Sequence, residues 1–335
     1  MTGLTSRVAT AANIIEDDVP PALFKAKLNN VRPLVNMLRA VGFRTRVLCT
    51  ISNTGLVFTV DEAQAMVAQS FFRTSLFSSF FFDTSAAAAD DDQPEYVSEE
   101  GDGDNDVVTQ ITLPLDKLIE CLTLFYGPGS GGNSGPSHGI STSTLLGPAN
   151  DLRGATTVEL EYKGPGSDFE LMLEENGIIS ACRLATFEPE PAVDLEFSRY
   201  PVVQQLIMRS DWLRDAFNEL DPTSDAVSIS ISATEPYFRI ATIGDNGSTE
   251  MTYARDERIV DAYFCNEEME NRYKLSLVLR CRSALAMSDK SKVRINQRGF
   301  LCLQFMIPTD TDVSFVNYIF APLVSADDEP ADFQA

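Results

Sequence analysis

Alternating apolar and polar residues predict that most of this chain forms β-strands, with a few short amphipathic helices between them. Residues 24–28 favour a short strand, and residues 29–41 carry apolar side chains at helical spacing, namely Val31, Leu34, Val35, Leu38 and Val41. Asn30 is a suitable helix cap, and Pro33 falls in the first turn, where proline is tolerated. We therefore expect a helix with one buried face directly after the first strand.

The rest of the first half continues this pattern. TRVLCTIS and GLVFTV predict two strands joined at Asn53-Thr54-Gly55, a hairpin signal, and AMVAQSFF predicts a further strand. VVTQITL precedes a helix whose apolar face is formed by Leu115, Leu118, Ile119 and Leu122. ATTVELEYK, DFELMLEE and GIISACRL then predict three closing strands. The predicted order of the first half is β-α-βββ-β-α-βββ.

The second half repeats this order after a connector at residues 185–197 that is rich in proline. DLEFS predicts a strand, SDWLRDAFNELD a helix, and AVSISIS, YFRIATIG, TEMTY and IVDAYFC four strands. KLSLVLRCRSALAMSD predicts a second helix, and KVRIN, FLCLQFMI and VSFVNYIF predict three final strands. We interpret the two halves as a structural duplication with little sequence identity, without shorter repeats.

Composition is that of a globular protein with an uneven distribution of charge. The 335 residues are 44% hydrophobic and suffice for two domains, and the formal net charge is -23. Residues 83–106 hold ten acids and no base, and the tail from residue 325 holds four more. We interpret both segments as solvated loop and tail. Because no apolar run has the length of a signal peptide or a membrane span, we expect a soluble intracellular protein with no membrane partner.

Cysteine and histidine give no support for a metal or catalytic centre. The six cysteines lie far apart without a C-x-x-C pair, and most are flanked by Val, Leu or Ile, as buried thiols are. The single histidine, His138, lies in a Gly/Ser/Pro-rich segment that offers no rigid support for a catalytic imidazole. We therefore predict no catalytic residue, no metal ligand and no cofactor.

Basic residues are concentrated where acids are missing. From residue 23 to residue 60 there are six Lys or Arg and no Asp or Glu, and residues 272–298 hold eight bases against the single acid Asp289. Arg32 and Arg39 are seven residues apart, so they lie on nearly one line of the first helix, away from its apolar stripe. An ordinary solvated helix face explains this pattern about as well as an interface for phosphates.

Several long runs resemble one known family. NNVRPLVNMLRAVGFR, GLVFTVDEAQAMVAQSFF, AYFCNEEMENRYKLSL, NQRGFLCLQFMI and the stretch at residues 213–248 are similar to the Rad-one subunits of the nine-one-one DNA-damage checkpoint clamp, relatives of the proliferating cell nuclear antigen. The resemblance extends from about residue 24 to residue 322. The departures are the N-terminal extension, an acidic insertion, a Gly/Ser insertion and the acidic tail.

The resemblance implies an α+β fold of two similar clamp domains, with antiparallel sheets outside and helices lining a central hole. Three such subunits close a pseudo-sixfold ring around double-stranded DNA, without sequence specificity. The implied partners are the Rad-nine and Hus-one subunits, a dedicated clamp loader, and repair and signalling proteins, and the implied location is the nucleus. Ring closure would pair edge strands of neighbouring subunits, for which GIISACRL and AMVAQSFF are candidates.

The resemblance also suggests boundaries and DNA-facing residues. We expect a flexible extension at 1–22, clamp domains at 23–185 and 198–323, insertions at 84–106 and 127–150, a connector at 186–197 and a tail at 324–335. The expected DNA-facing side chains are Lys27, Arg32, Arg39, Arg44, Arg209, Arg214, Arg280 and Arg282.

Two alternative functions remain open. A 3'-to-5' exonuclease would need carboxylates converging on paired metal ions, whereas Glu159, Glu161 and Glu170 alternate with apolar residues as a solvated sheet face does. A homotrimeric replicative clamp would share the fold and charge pattern, and only subunit stoichiometry separates it from the checkpoint clamp.

Overall fold

The computed structural model describes residues 22–87, 107–125, 155–190, 193, 195–245, 247–309 and 312–323. The predicted N-terminal extension (apart from residue 22), the Gly/Ser insertion, the acidic tail and most of the acidic insertion lie outside these residues. The first half comprises β1 (Phe24–Leu28), α1 (Arg32–Ala40), β2 (Arg46–Ser52), β3 (Gly55–Glu62), β4 (Met66–Arg73), β5 (Ser79–Phe82), α2 (Thr84–Ala87), β6 (Thr109–Pro114), α3 (Leu115–Leu122), β7 (Thr157–Tyr162), β8 (Phe169–Glu175) and β9 (Ile178–Leu184).

The second half follows the same strand order, without a counterpart of α2 among the described residues. It comprises β10 (Val202–Arg209), α4 (Ser210–Glu219), β11 (Ala226–Ile231), β12 (Phe238–Gly244), β13 (Gly247–Tyr253), β14 (Val260–Cys265), β15 (Met269–Lys274), α5 (Leu275–Val278), α6 (Arg282–Met287), β16 (Lys290–Asn296), β17 (Leu301–Pro308) and β18 (Val313–Phe320). Short 3-10 turns cover Thr74–Leu76, Phe197–Arg199 and Leu279–Cys281. Strand by strand, β1–β9 therefore match β10–β18, as the predicted duplication requires.

The strands form three antiparallel sheets. The first half contributes a five-stranded sheet in the order β5-β1-β7-β8-β9, and the second half a four-stranded sheet in the order β13-β12-β11-β15. A nine-stranded sheet, β14-β10-β16-β17-β18-β4-β3-β2-β6, contains strands of both halves. The halves are joined where β18 pairs with β4, from Phe315 opposite Phe71 to Phe320 opposite Met66.

Four helices cover one face of the nine-stranded sheet. α1 packs against α3 and α6, and α6 packs against α4, so the helices lie in the order α3, α1, α6, α4, which we call the helix layer. Leu34, Val35 and Leu38 of α1 are each at most 1% exposed. Burial of each such side chain contributes about 1.5–3 kcal/mol, which fixes the helix on the sheet.

Tyr318 links the last strand to the first helix. Its buried hydroxyl donates a hydrogen bond to the carbonyl oxygen of Ala40 at 2.7 Å, at the end of α1 where helix carbonyls lack partners within the helix. The neighbouring strand β4 makes a similar contact, because the Ser70 hydroxyl donates to the carbonyl of Met37 at 3.1 Å. Both bonds orient α1 over the strand pair that joins the two halves.

The predicted hairpin turn at Asn53-Thr54-Gly55 is confirmed. The β2–β3 hairpin closes with Ser52 opposite Gly55, and Gly55 has a φ of 142°. A side chain there would lie 2.0 Å from the carbonyl oxygen of Phe72, so only glycine fits. Asn176 and Gly177 form the β8–β9 turn with φ values of 53° and 79°, as a type I′ turn requires.

Other predictions of local structure were wrong. The described part of the DLEFS segment, residues 195–198, forms no strand, because Glu196 adopts a left-handed conformation and Phe197 enters a 3-10 turn. The strand at this position in the repeat is β10, which the sequence did not reveal, and β5 and β15 were also missed. The predicted helix at residues 274–289 is divided into α5 and α6 by the 3-10 turn that buries Cys281 completely.

Two further expectations differ in detail. α1 begins at Arg32, later than predicted, with Val31 at the cap position, while Asn30 accepts a hydrogen bond from the Arg32 amide at 3.0 Å. AMVAQSFF is not an edge, because β4 is paired with β3 on one side and β18 on the other. GIISACRL does form an edge strand, β9, at the end of the five-stranded sheet.

The Tyr318→Phe variant tests whether the hydrogen bond from the Tyr318 hydroxyl to Ala40 stabilises the junction between the two halves. We expect it to lower the free energy of unfolding by about 1–3 kcal/mol, because the Ala40 carbonyl would lose its partner in a buried place. Urea denaturation measures the change. The matched control is Tyr253→Phe, whose hydroxyl donates to the Trp212 carbonyl at a more exposed site. Equal losses in both variants would contradict a special role of Tyr318.

Candidate nucleic-acid interface

The helix layer offers a basic surface at α1. Arg32, Asn36 and Arg39 are exposed and spaced by four and three residues, so they form one line along the helix, opposite its buried side. The first turn of α1 contains no acid, and Arg39 lies in its last turn. Seven residues of helix separate the two arginines by roughly 10 Å along the axis, about three base-pair rises of duplex DNA. This line can therefore offer two separate contacts to phosphates of a duplex.

Arg44 and Arg280 converge on one carboxylate beside α1. Glu62 lies 3.8 Å from the Arg44 guanidinium and 3.9 Å from that of Arg280. Arg44 also donates to the carbonyl of Asp61 at 3.1 Å, and the Arg280 guanidinium lies over the ring of Phe43 at 5.3 Å. Because two guanidinium groups share one carboxylate, this cluster retains net positive charge next to the line on α1.

The arginines around α4 are engaged differently. Arg209 and Arg214 both pair with Asp211, at 3.0 and 2.5 Å. Hydrogen bonds from Arg209 and then Arg214 hold the pKa of the Asp211 carboxyl below its ordinary value. The exposed residues of α4 are neutral or acidic, namely Trp212, Asp215, Asn218 and Glu219. α4 thus presents far less positive charge than α1.

Arg282 has a structural contact. Its guanidinium donates a hydrogen bond to the carbonyl oxygen of Phe217, near the end of α4. The bond joins α6 to the helix beside it and satisfies a carbonyl of the last turn of α4. Arg282 therefore holds the helix layer together, whatever else its exposed part contacts.

Lys27 is separated from the other predicted side chains. It lies on β1, opposite Ser79 and Glu159, and its strand neighbours Ala26 and Leu28 face the core. Because side chains alternate along a strand, Lys27 points to the solvent face of the five-stranded sheet. The structure brings Arg44 and Arg280 together just beyond the end of α1, the helix that carries Arg32 and Arg39, and it places Lys27 on another sheet.

Asn36 and Trp212 were not predicted as site residues. Asn36 lies between the two arginines of α1, and the helical spacing of the sequence could have shown this. Trp212, the only tryptophan of the chain, is 41% exposed on α4. The helical spacing of the buried residues Leu213, Phe217 and Leu220 leaves Trp212 outside the buried face of α4, and the sequence could have shown this.

The carboxylates considered for nuclease chemistry form ion pairs on the five-stranded sheet. Lys25 lies 2.6 Å from Glu159 and 3.5 Å from Glu161, and Lys163 lies 3.1 Å from Glu170. Among the described residues, no group of three or more His, Cys, Asp or Glu side chains could hold a metal ion. These glutamates alternate with buried Leu and Val, as a solvated sheet face does.

Comparisons with known proteins identify relatives along most of the chain. A family model described as "Repair protein Rad1/Rec1/Rad17" matches residues 23–307. The "Cell cycle checkpoint protein RAD1" of Homo sapiens is 33% identical over 309 residues, covering 92% of this chain and 94% of that protein. The protein of the same name from Mus musculus is 32% identical over 308 residues, with 92% and 95% coverage.

A more distant relative has another name. The "DNA repair exonuclease REC1" of Mycosarcoma maydis is 25% identical over 185 residues, which cover 46% of this chain and 40% of that protein.

In the part of the chain that the structure describes, no helix is long and apolar enough to span a membrane.

The Asp211→Asn variant tests the charge pairing around α4. Because the pKa of Asp211 is lowered in the folded protein, its ion pairs stabilise the fold at pH values above its ordinary value of 3.8 and lose this effect as the pH falls below it. We therefore expect Asp211→Asn to destabilise the protein more at pH 7 than at pH 3 in urea denaturation. Asp215→Asn on the same helix is the control. A loss of stability that is the same at both pH values would refute this assignment.

Proposed function

The chain belongs to the Rad1/Rec1/Rad17 repair protein family, and on this basis we propose that it is the non-catalytic Rad-one subunit of a heterotrimeric checkpoint clamp that encircles duplex DNA. Its partners in the ring are the Rad-nine and Hus-one subunits. A dedicated loader places the ring at damaged DNA, in the nucleus, where it serves as a platform for checkpoint signalling and repair proteins. The coarser role, in DNA-damage checkpoint and repair, follows from the named relatives.

The main support for the proposed ring is the structural repeat of the two halves within the chain. Within the chain, the last strand of the second half, β18, pairs with the fourth strand of the first half, β4, while α6 packs against α1. In the repeat, β9 of the first half corresponds to β18 of the second, and β13 of the second half corresponds to β4 of the first. In the same way, α3 corresponds to α6 and α4 to α1. β9 and β13 are both edge strands, and α3 and α4 are the two ends of the helix layer.

Repeating the internal junction between chains therefore predicts a head-to-tail contact. β9 of one subunit would pair with a strand equivalent to β13 in the next, and α3 would pack against an α4 equivalent. Main-chain hydrogen bonds would cover edges that otherwise attract other strands. A contact of this kind closes into a ring when the rotation between neighbours closes, and three two-domain subunits would give the implied six domains.

The helix layer would then face the DNA. The line of Arg32, Asn36 and Arg39, with Arg44 and Arg280 beside it, offers contacts to phosphate oxygens, which position a protein without reading sequence. Arg209, Arg214 and Arg282 lie in the same layer, but the exposed residues of α4 beside them are neutral or acidic, so we expect smaller contributions from these three arginines. We assign Lys27 to the outside of the ring. Retention then depends on ring closure more than on affinity.

The connector on the other face of the nine-stranded sheet is packed against the sheet. Leu195 and Phe197 form a small buried cluster with Val67, Cys302 and Ile319. Short partner peptides dock on the connector in related clamps, as the resemblance implies. Here these two side chains occupy the sheet surface themselves, so a partner peptide would have to bind beside them or displace them.

Retention on circular DNA tests the proposed function most simply. The three-subunit complex is loaded with its clamp loader and ATP onto nicked plasmid and separated from free protein by gel filtration. We expect the complex to stay with circular DNA at salt concentrations that disrupt phosphate contacts, and to be released when a restriction enzyme linearises the plasmid. Equal retention on linear DNA would overturn encirclement.

An exonuclease is the second candidate, because one partial relative has that name. Glu159 and Glu161 are the residues to test, although both pair with Lys25. Magnesium-dependent degradation of DNA that co-purifies with the chain and is lost in the Glu159→Gln/Glu161→Gln variant would favour this function. Degradation that is unchanged in the variant would not depend on Glu159 and Glu161 and would count against an exonuclease site at these residues.

Removing the two arginines of α1 should weaken contacts to DNA phosphates. For the Arg32→Ala/Arg39→Ala variant within the assembled complex, we expect weaker binding to duplex DNA of any sequence. The slope of log affinity against log salt should become shallower by about 1 for each arginine removed. Fluorescence anisotropy at several salt concentrations measures both quantities. Lys27→Ala is the control, and an equal effect of this substitution would contradict the assignment of faces.

The edge strand β9 should control assembly. Ile178 and Ile179 are 62% and 63% exposed there. We expect Ile178→Lys/Ile179→Lys to prevent formation of the three-subunit complex, while the free energy of unfolding of the isolated chain changes by only about 0.5 kcal/mol, as for other surface substitutions. Phe81→Lys, on the opposite edge β5 with 54% exposure, is the matched control. Native mass spectrometry reads the assembly, and normal assembly of the β9 variant would count against the proposed edge pairing.

A further inference from the structure

A groove of about 370 Å³ lies between the end of α3 and the edge strand β9. Its lining includes two cysteines, Cys121 of α3 and Cys182 of β9, together with Leu124 and Leu184. α3 packs directly against β9, so the two cysteines come from elements in contact. Both thiols are half-buried, whereas Cys49, Cys281 and Cys302 are buried completely. The groove thus combines two neighbouring thiols with access from solvent.

The register of β9 places the Cys182 side chain toward the helix. Cys182 lies opposite Leu171 of β8, which is 1% exposed and belongs to the core face of the sheet. Burial first, and the adjacent Cys182 thiol second, raise the pKa of Cys121 to about 11. Cys121 therefore stays protonated at neutral pH, and its hydrogen bond with Cys182 brings the two sulfur atoms together.

The residue of the second half that corresponds to Cys121 is covered by other parts of the same chain. Cys121 is the seventh residue of the helix that begins at Leu115, and Cys281 is the seventh residue of the helical segment that begins at Leu275. Cys281 lies near Tyr318 of the last strand, and the Tyr318 hydroxyl reaches α1, which packs over this site. In the first half no helix of the described chain takes the place of α1, so Cys121 and Cys182 remain accessible.

We propose that Cys121 and Cys182 are a peroxide-sensitive thiol pair that forms a disulfide in the free chain. The thiolate of one cysteine attacks hydrogen peroxide, the O–O bond breaks, and that cysteine becomes a sulfenic acid while hydroxide leaves. The sulfur of the other cysteine then attacks the sulfenic sulfur and gives up its proton, and the hydroxyl group leaves as water. Two thiols lose two electrons and two protons, and one peroxide becomes two waters.

The consequence for assembly rests on the proposed function. The groove lies where the internal junction, repeated between chains, would place the α4 equivalent of the next subunit. A disulfide here draws α3 and β9 together and alters this surface, so the oxidised chain should assemble more slowly than the reduced chain. Conversely, a neighbouring subunit should shield the thiol pair from peroxide.

Peptide mapping of the full chain alone tests the thiol pair without reference to any ring. The protein is treated with hydrogen peroxide, its remaining thiols are alkylated, and trypsin releases residues 118–153 and 164–183, which contain Cys121 and Cys182. We expect these two peptides to appear linked, with a mass lower than their sum by two hydrogen atoms, and to separate on reduction. Cys121→Ser and Cys182→Ser should each abolish the linked product.

Cys265→Ser is the matched control, because Cys265 is also half-buried but lies on β14 in another sheet. This variant should form the linked peptides as the wild type does. Oxidation of Cys182 to sulfinic acid without linkage, or linkage of Cys182 to Cys265, would overturn the proposal. A reduced chain that fails to assemble with its sibling subunits would count against the proposed clamp, whereas the mapping result would still decide the thiol pair.

Discussion

The antiparallel pairing of β18 with β4 is the interaction on which the rest of the structure depends. It joins the last strand of the second half to the fourth strand of the first half and so makes one nine-stranded sheet from two repeats. Backbone groups at a strand edge need hydrogen-bond partners, and this pairing satisfies them at one junction only. The equivalent strands, β9 and β13, stay at sheet edges. This difference between one closed junction and two open strand edges is the basis of the proposed association with neighbouring subunits.

The pairing of β18 with β4 also determines which surface of the protein is basic. It brings helices of both halves into one layer, with α1 at the junction and packed on both sides. Arg32 and Arg39 are therefore held on a helix that is fixed by a large buried surface. Acidic side chains such as Glu159 and Glu161 lie on the five-stranded sheet, paired with lysine. A strongly acidic protein can thus present a local basic surface, because the fold sorts the two signs onto different faces.

Much of the fold could be predicted from the sequence, because periodicity and turn residues act locally. The alternation in β7 and β8, the glycine at position 55 and the apolar stripe of α1 all gave correct elements. β10 was missed because its sequence, VVQQLIMR, does not alternate apolar with polar residues, although buried and half-buried positions do alternate along most of the strand. The break between α5 and α6 results from packing around Cys281. The candidate site was predicted only in part. The spacing of Arg32 and Arg39 indicated a shared face, but the hydrogen bond from Arg282 to the Phe217 carbonyl and the outward direction of Lys27 depend on tertiary contacts.

Stoichiometry in solution is the most direct test of the central claim that this chain is one of three different subunits in a ring. Light scattering coupled to gel filtration would be applied to the chain alone and to a mixture with its two sibling subunits. The account predicts a monomer of 36.8 kDa for the chain alone and a single complex with one copy of each subunit in the mixture. A stable trimer of this chain alone would contradict it and indicate a homotrimeric clamp instead.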